Sequence, residues 1–307
     1  ATTLVTKNIF LCPKALLQAP AGACNNQLNI HRRVRLQAED LLKSGDLDGA
    51  LVALQDLVRG DASNPELRIF LFQLLSVRGE WKRAITQLKV SAELDKLAIP
   101  MAQTYREGII CEVYREKVFV GEKDPLIFGE PQEWTALMLE ALKVQGQGDA
   151  AQAAKIRARA FDAAPAVSGK INGDAFAWIA DADMRLGPML EIVVNGRYFW
   201  MPFNAISKAI FEPPADLRDA VWTPVTITLA NGGEIVGLIP TRYAGTTENG
   251  GPAEKLARST DWVDLGADTF GGIGQRIFTT DLGDTAVMDV RTLELDLELS
   301  LGSTSNV

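Results

Sequence analysis

The chain has 307 residues, 47% of them apolar and 23% charged, so it is longer than one small module and has the composition of an ordinary globular protein of about two domains. Its 31 basic and 39 acidic side chains give a net charge of −8, which disfavours a protein built to grip phosphate backbones. One histidine, His31, and three cysteines, Cys12, Cys24 and Cys111, exclude most metal cages, two-histidine mechanisms and a disulfide framework, and fit a reducing compartment.

The charge is unevenly spread. Residues 1–35 carry five basic side chains and no acid, so the remaining 272 residues hold a net −13. The chain opens on Ala rather than Met, as a processed or truncated chain would. Residues Ala21–Cys24 faintly resemble a lipoprotein cleavage box, but Pro13 and Lys14 interrupt the only nearby apolar run. Segment 1–35 is therefore expected to be a basic, poorly ordered or foreign extension rather than an export signal. No apolar run approaches the roughly 20 residues of a membrane span.

From Leu36 the pattern is helical. Leu36, Leu41 and Leu42 form a stripe that stops at Gly45, and Leu47, Leu51, Leu54 and Val58 begin another, with Asp46 placed as its N-cap. The string Gly45-Asp-Leu-Asp-Gly-Ala50 returns as Gly79-Glu-Trp-Lys-Arg-Ala84. Both the glycine and the alanine recur after 34 residues, the period of tetratricopeptide repeats. Gly45 and Gly79 would sit in the turns between paired helices, and Ala50 and Ala84 would let the second helix pack closely. Asn64-Pro65 opens the next helix with Pro at its first position. A long helix over 101–118 and a Gly/Pro-rich break over 121–131 follow. A degenerate third hairpin turns at Gly148, and Pro165 closes it. Such hairpins stack and offer grooves for a helix of another protein.

After Pro165 short β-branched and aromatic runs predict a compact, mostly antiparallel β domain, a small barrel or sandwich. Leu190–Val194 and Arg197–Trp200 flank Asn195-Gly196, and Val225–Leu229 and Glu234–Ile239 flank Asn231-Gly-Gly233; both read as hairpins. A short helix is expected around 204–211, and strands over 287–290 and 293–299. In the last, Leu293, Leu295, Leu297 and Leu299 alternate with Glu294, Asp296 and Glu298, a pattern that would suit an edge strand protected by its charges. The expected organisation is thus an extension (1–35), a tetratricopeptide-like helical domain (36–165) and a β-rich domain (166–307), an α+β fold.

The strings that could carry chemistry are few. Residues 164–171 nearly match a phosphate-binding loop, but Ile171 stands where Mg²⁺ binding needs Ser or Thr. Gly271-Gly-Ile-Gly-Gln-Arg276 reads as a flexible connection between strands that could cradle an anion. Trp178-Ile-Ala-Asp181-Ala-Asp183-Met-Arg185 sets two carboxylates beside an arginine, which a turn with a local Asp–Arg bond explains better than acid–base or metal chemistry. Glu212-Pro-Pro-Ala-Asp216-Leu-Arg218-Asp219, followed by Trp222, reads as a stiff surface loop with anchoring side chains. Cys111 reads as a buried structural thiol. No Gly-x-Ser-x-Gly elbow occurs.

These strings resemble the ImpE family, also called TagJ or SciE-type, of bacterial type VI secretion accessory proteins. The resemblance covers about 36–300. It rests on Leu41–Ala50, on Trp178–Asp183 with Arg185–Pro188, and on Asn195-Gly-Arg197-Tyr198. Glu212–Asp219 with Trp222, Pro240-Thr-Arg242-Tyr243 and Gly274-Gln275-Arg276 complete it. It implies a cytoplasmic, non-enzymatic adaptor with no cofactor, no metal, no membrane and no nucleic acid, compatible with homo-oligomers. The implied partners are the N-terminal helix of the small contractile-sheath subunit and the ClpV-type ATPase that recycles contracted sheath. The rivals are an enzyme using Asp181, Asp183 and Arg185 or Arg276, and a general tetratricopeptide adaptor reading acidic tails with Arg68 and Arg78.

Overall fold

A computed structural model describes residues 36–130 and 132–297, and the chain divides into two compact units that meet between Ile110 and Cys111. The expected extension, with His31, Cys12 and Cys24, and residues Glu298 and Leu299 of the expected last strand lie outside the described residues.

The first unit is helical. Helix α1 covers 36–44, α2 Leu47–Gly60, α3 Pro65–Val77 and α4 Trp81–Leu94; a 3₁₀ turn at Lys96–Ala98 leads into α5, Ile99–Phe119, which ends in the second unit. Asp46 caps α2 by accepting a 2.8 Å hydrogen bond from the Gly49 amide. Asn64 caps α3 by accepting from the Glu66 and Leu67 amides, with Pro65 at the first helical position. The two hairpin turns are built alike. Gly45 and Gly79 take φ of 83° and 75°. The residue after each glycine donates back across the helix end, Asp46 to the Leu41 carbonyl at 2.8 Å and Glu80 to the Leu75 carbonyl at 2.9 Å. This closure satisfies helix-end carbonyls that would otherwise be orphaned, and it needs a left-handed residue that glycine supplies without a steric penalty. Ala50 and Ala84 are fully buried, as close helix packing requires.

Among the described residues, the second unit takes in the end of α5, the hairpin of α6 (Glu133–Gly146) and α7 (Ala150–Ala163), and fourteen strands. The α6–α7 turn repeats the same closure, with Gly148 at φ 90° and Asp149 donating to the Val144 carbonyl at 3.2 Å. This third hairpin packs with the strands of its own unit: Gln145 donates to the Leu265 carbonyl and the buried Arg157 to Thr269 Oγ1. Helix gives way to strand between Ala163 and Gly169, around Pro165.

The strands are β1 Leu126–Ile127, β2 Gly169–Ile171, β3 Asp174–Phe176, β4 Ile179–Asp181, β5 Met189–Val194, β6 Arg197–Pro202, β7 Ile206–Phe211, β8 Trp222–Leu229, β9 Glu234–Pro240, β10 Thr260–Asp264, β11 Phe270–Gly274, β12 Ile277–Thr280, β13 Gly283–Ala286 and β14 Thr292–Leu295. Two short helices, α8 (Thr246–Asn249) and α9 (Pro252–Lys255), follow β9. Nine strands form an open sheet in the order β1-β6-β5-β9-β8-β7-β14-β2-β3, three form β13-β12-β4, and β10 pairs with β11. The large sheet is therefore not a closed barrel. One of its faces supplies Leu190, Ile192, Ile206, Phe211, Ile227 and Leu293 to a core completed by Phe278 of the three-stranded sheet. The predicted β5–β6 hairpin turns on Asn195 and Gly196, both left-handed (φ 49° and 70°), as its two-residue loop demands.

Four expectations are corrected. Residues 206–211 form β7 after a 3₁₀ turn at Phe203–Ala205, not a helix. The register between β7 and β8 shifts between Ile206 and Lys208, so the buried positions 206, 209 and 211 lose the two-residue period and mimic a helical one. Val287–Asp289 is a 3₁₀ turn rather than a strand. Strand β14 is interior, paired with β7 on one side and β2 on the other, so Glu294 guards no edge; it pairs with Lys208 instead. Residues 270–274 are strand β11 rather than a flexible loop. Gly272 is small because the Tyr243 ring lies on it: a Cβ there would fall 2.1 Å from Cδ2 of that ring. The near phosphate-loop string is equally ordinary, since Gly169–Ile171 is β2.

Candidate functional site

Burying an unpaired charge is costly, so buried charges come paired. The second unit collects eight charged side chains in one place. Glu191, alone among apolar residues in β5, points to the face opposite the core, and its exposure is 0%. Its two carboxylate oxygens accept from Arg115 at 2.6 and 2.8 Å, from the Tyr198 hydroxyl and from Arg276. Arg276 also binds Asp181 and donates from Nε to the Pro240 carbonyl. Arg115 reaches Glu112 at 3.3 Å and the Arg242 carbonyl at 2.8 Å. Asp183 is chelated by Arg185 and also accepts from the Gly272 amide at 3.0 Å. The amide of Asp183 in turn donates to Asp181. Aromatic rings close the faces: Arg185 and Arg115 lie 4.8 and 5.5 Å from the Phe119 ring centre, and Arg276 lies 5.2 Å from that of Tyr243.

The electrostatics divide the carboxylates. Burial alone would push Glu191 up, but Arg115 and Arg276 outweigh it and hold it at about 2. Burial, reinforced by Asp183 and Glu191, lifts Asp181 to about 7 in spite of Arg276. Burial raises Glu112 as well, and lowers Arg242 to about 10. The carboxylate oxygens of Asp181, Asp183 and Glu191 are taken up by guanidinium and amide donors and lie at 0% side-chain exposure. The cluster clamps β4, β5, β12 and the end of α5 together. Among the described residues no group of three or more Asp, Glu, His or Cys side chains is arranged to hold a metal ion.

Of the residues singled out in the sequence, Asp181, Asp183, Arg185, Tyr198, Arg242, Tyr243 and Arg276 meet here. Tyr243 brackets the start of β12, accepting from the Ile277 amide at 2.9 Å. Gln275 pins the neighbouring loop by donating to the Ala257 carbonyl. The Asp216–Trp222 string forms its own lock: Asp216 caps a 3₁₀ turn, Asp219 accepts from the Ala215 and Asp216 amides, Arg218 pairs with Asp216, and Trp222 is fully buried. Arg197 is exposed at the β5–β6 turn, and Trp178 is 40% exposed beside β4. Sequence reasoning passed over Glu112, Arg115 and Glu191. The available signal was a lone carboxylate inside the unbroken apolar run of β5. Cys111 is buried, as expected.

In the first unit, Arg78 is held by Asp48 and Glu80, and Arg68 by Gln87 and the Ala62 carbonyl. Leu94, Leu97 and Ile99 are exposed around the α4–α5 turn.

Comparison with known proteins agrees with both halves. A tetratricopeptide repeat family model matches residues 41–102, and the ImpE protein family model matches residues 173–294. The type VI secretion system accessory component TagJ of Pseudomonas aeruginosa is 54% identical over 267 residues, 86% of this chain and 92% of its own length. A crystal structure of a protein from Vibrio parahaemolyticus shares the fold with a TM-score of 0.77 at 24% identity, covering 86% of this chain and 99% of that one. Among the described residues no helix is long and apolar enough to cross a membrane. The family-model match over 173–294 and the 54% identity to TagJ over 86% of this chain agree: the chain belongs to the ImpE/TagJ family of type VI secretion accessory proteins.

Proposed function

We propose that this chain is a non-enzymatic, cytoplasmic adaptor of a type VI secretion system. In this reading its helical hairpins receive the N-terminal helix of the small contractile-sheath subunit and link the sheath to the ClpV-type disassembly ATPase. The observation that carries it is the pair of tetratricopeptide-type hairpins with matching turns at Gly45 and Gly79, since stacked hairpins present grooves of the width of an amphipathic helix. The net −13 of residues 36–307 suits a basic face on that helix.

The enzyme reading draws no support from its own residues. Asp181, Asp183 and Arg185 serve the clamp, where a substrate would have to displace a guanidinium to reach either carboxylate. The acidic-tail reading needs free cations, and Arg68 and Arg78 are engaged within the chain.

The test is co-purification with the sheath subunit, intact and lacking its N-terminal helix, together with amide-exchange mapping of the complex. Loss of capture without the helix, and protection within 36–110, is the expected result. Undiminished capture by the shortened subunit would sink the reading.

A further inference from the structure

Strand β10 has a neighbour on one side. It pairs antiparallel with β11, from Thr260 opposite Gly274 to Asp264 opposite Phe270, and among the described residues no strand lies along its other side. What β11 does on its far side fixes the phase of that ladder. The Phe270 carbonyl accepts from the Met184 amide, the Gly272 amide donates to Asp183, and the Gly274 carbonyl accepts from the Tyr243 amide. Bonding direction alternates along a strand, so Gly271 and Ile273 face β10 and bind Val263 and Asp261. The backbone groups of Thr260, Trp262 and Asp264 therefore point away from β11. The Asp261 carboxylate takes the Trp262 amide at 2.9 Å, which leaves the three carbonyls as the main acceptors. A row of this kind is a template for an added strand.

The ribbon is held in place as well as open. Its turn sets Ala267 and Asp268 at φ 52° and 56°, the left-handed pair that a two-residue hairpin loop needs and that alanine adopts only at a cost. Gln145 anchors the turn through the Leu265 carbonyl, and the buried Arg157 through Thr269 Oγ1, both at 2.9 Å. Strained backbone persists where its surroundings over-determine it, and it gathers at binding sites. Trp262 and Val263 of β10 and Phe270 of β11 are all exposed, with the Trp262 ring steadied 5.8 Å from that of Tyr243.

Charge states what fits. From Thr260 to Gln275 the chain carries Asp261, Asp264 and Asp268 and no basic residue. Along β10 the order is acid, apolar, apolar, acid. Its complement is basic, apolar, apolar, basic, which reads the same in parallel and antiparallel pairing. Two copies of β10 meeting edge to edge would set acid against acid. The complement occurs once in this chain, as Lys255-Leu-Ala-Arg258, where Leu256 and Ala257 are buried. The edge therefore suits a different protein.

We propose that the outer edge of β10 takes up, as an added strand, an extended segment of a partner protein with the pattern basic–apolar–apolar–basic. Amides of that segment donate to the Thr260, Trp262 and Asp264 carbonyls. Its Lys or Arg side chains meet Asp261 and Asp264, and its apolar pair covers Trp262 and Val263. The surface belongs to the second unit, so its test does not depend on the helical hairpins.

The probe is the dye-labelled peptide Thr-Lys-Val-Leu-Lys-Thr, titrated with the full chain by fluorescence anisotropy, and amide exchange locates it. Saturable binding is expected, with slowed exchange centred on 260–264. Asp261→Asn/Asp264→Asn keeps both side chains able to accept their local bonds and, once its fold is checked by circular dichroism, should weaken binding about threefold or more. N-methylation of the peptide backbone, which leaves the side chains and their charges intact and needs no protein variant, should weaken it at least about tenfold. Equal binding of the N-methylated peptide would reduce the contact to charge adhesion, and absence of saturable binding would leave Asp261 and Asp264 as mere guards of the edge. Either result overturns the proposal, as does protection centred outside 260–264.

Discussion

Glu191 shows how much one side chain can hold. It satisfies two guanidinium groups and a phenol at once, so Glu191→Gln leaves Arg115 and Arg276 buried against a neutral amide. Breaking a buried pair costs on the order of 3–5 kcal/mol, and urea denaturation should show a loss of that size. Asp181 behaves oppositely. Its pKa is raised from 3.8 to about 7, so the native state holds a proton that the unfolded chain releases. That contribution is complete below about 4 and is lost as pH rises through 7, at no more than ~1.4 kcal/mol per pH unit. Asp181→Asn should therefore flatten the fall in stability between pH 4 and 7, measured as midpoints of urea unfolding across that range. Glu191, held at about 2 against an ordinary 4.5, has the reverse sign. Its contribution is present above 4.5 and disappears as pH falls toward 2. Gly272 is a steric case. Gly272→Ala drives a methyl into the Tyr243 ring, and overpacking of this kind costs ~1–3 kcal/mol, visible as a lowered melting temperature with an unchanged fold.

Among the elements, the hairpin turns were the most legible in the sequence. A glycine needing positive φ between two helices leaves a local signature, and it recurs at 45, 79 and 148 with the same backbone closure. Replacing Gly79 with Ala should cost ~1 kcal/mol, the penalty of forcing a Cβ into the left-handed region, and thermal unfolding of the chain would register it. The β5–β6 and β8–β9 hairpins were legible for the same reason. Elements set by distant partners were not. The bulge in β7 erased its period. Gly271 and Gly272 of β11 look like slack in the sequence and are in fact clearance for Arg185 and Tyr243. The clamp was half visible: Asp181, Asp183 and Arg276 stood in recognisable strings, whereas Glu112 and Arg115 sit on α5 and acquire meaning only once β5 is laid beside them.

For the whole molecule, the change of texture at Pro165 and the division into compact units mark different things. The first separates helix from strand, and the second separates two groups of residues that pack mainly among themselves. Arg115 and Phe119 complete the surroundings of Glu191, Arg185 and Trp200, so the strands depend on the end of α5. A fragment starting at residue 166 should express as an uncooperative, aggregation-prone chain, while one starting at Ile99 should unfold in a single sharp transition by circular dichroism. Equal behaviour of the two would show that the part of the clamp supplied by α5 is dispensable. Several strings that stand far apart in the sequence, around Asp181, Tyr198, Arg242 and Arg276, come together as parts of the clamp.

The clamp also imposes a timetable. Arg115 leaves the ribosome 76 residues before Glu191, but Arg276 follows Glu191 by another 85. Until that late arginine emerges, Glu191 has half its counter-charge, so burying β5 beside the end of α5 strands negative charge. A chain ending ahead of Arg276 is therefore expected to leave the second unit unclosed, and limited proteolysis of a chain ending at Gln275 should cut it faster than the full chain.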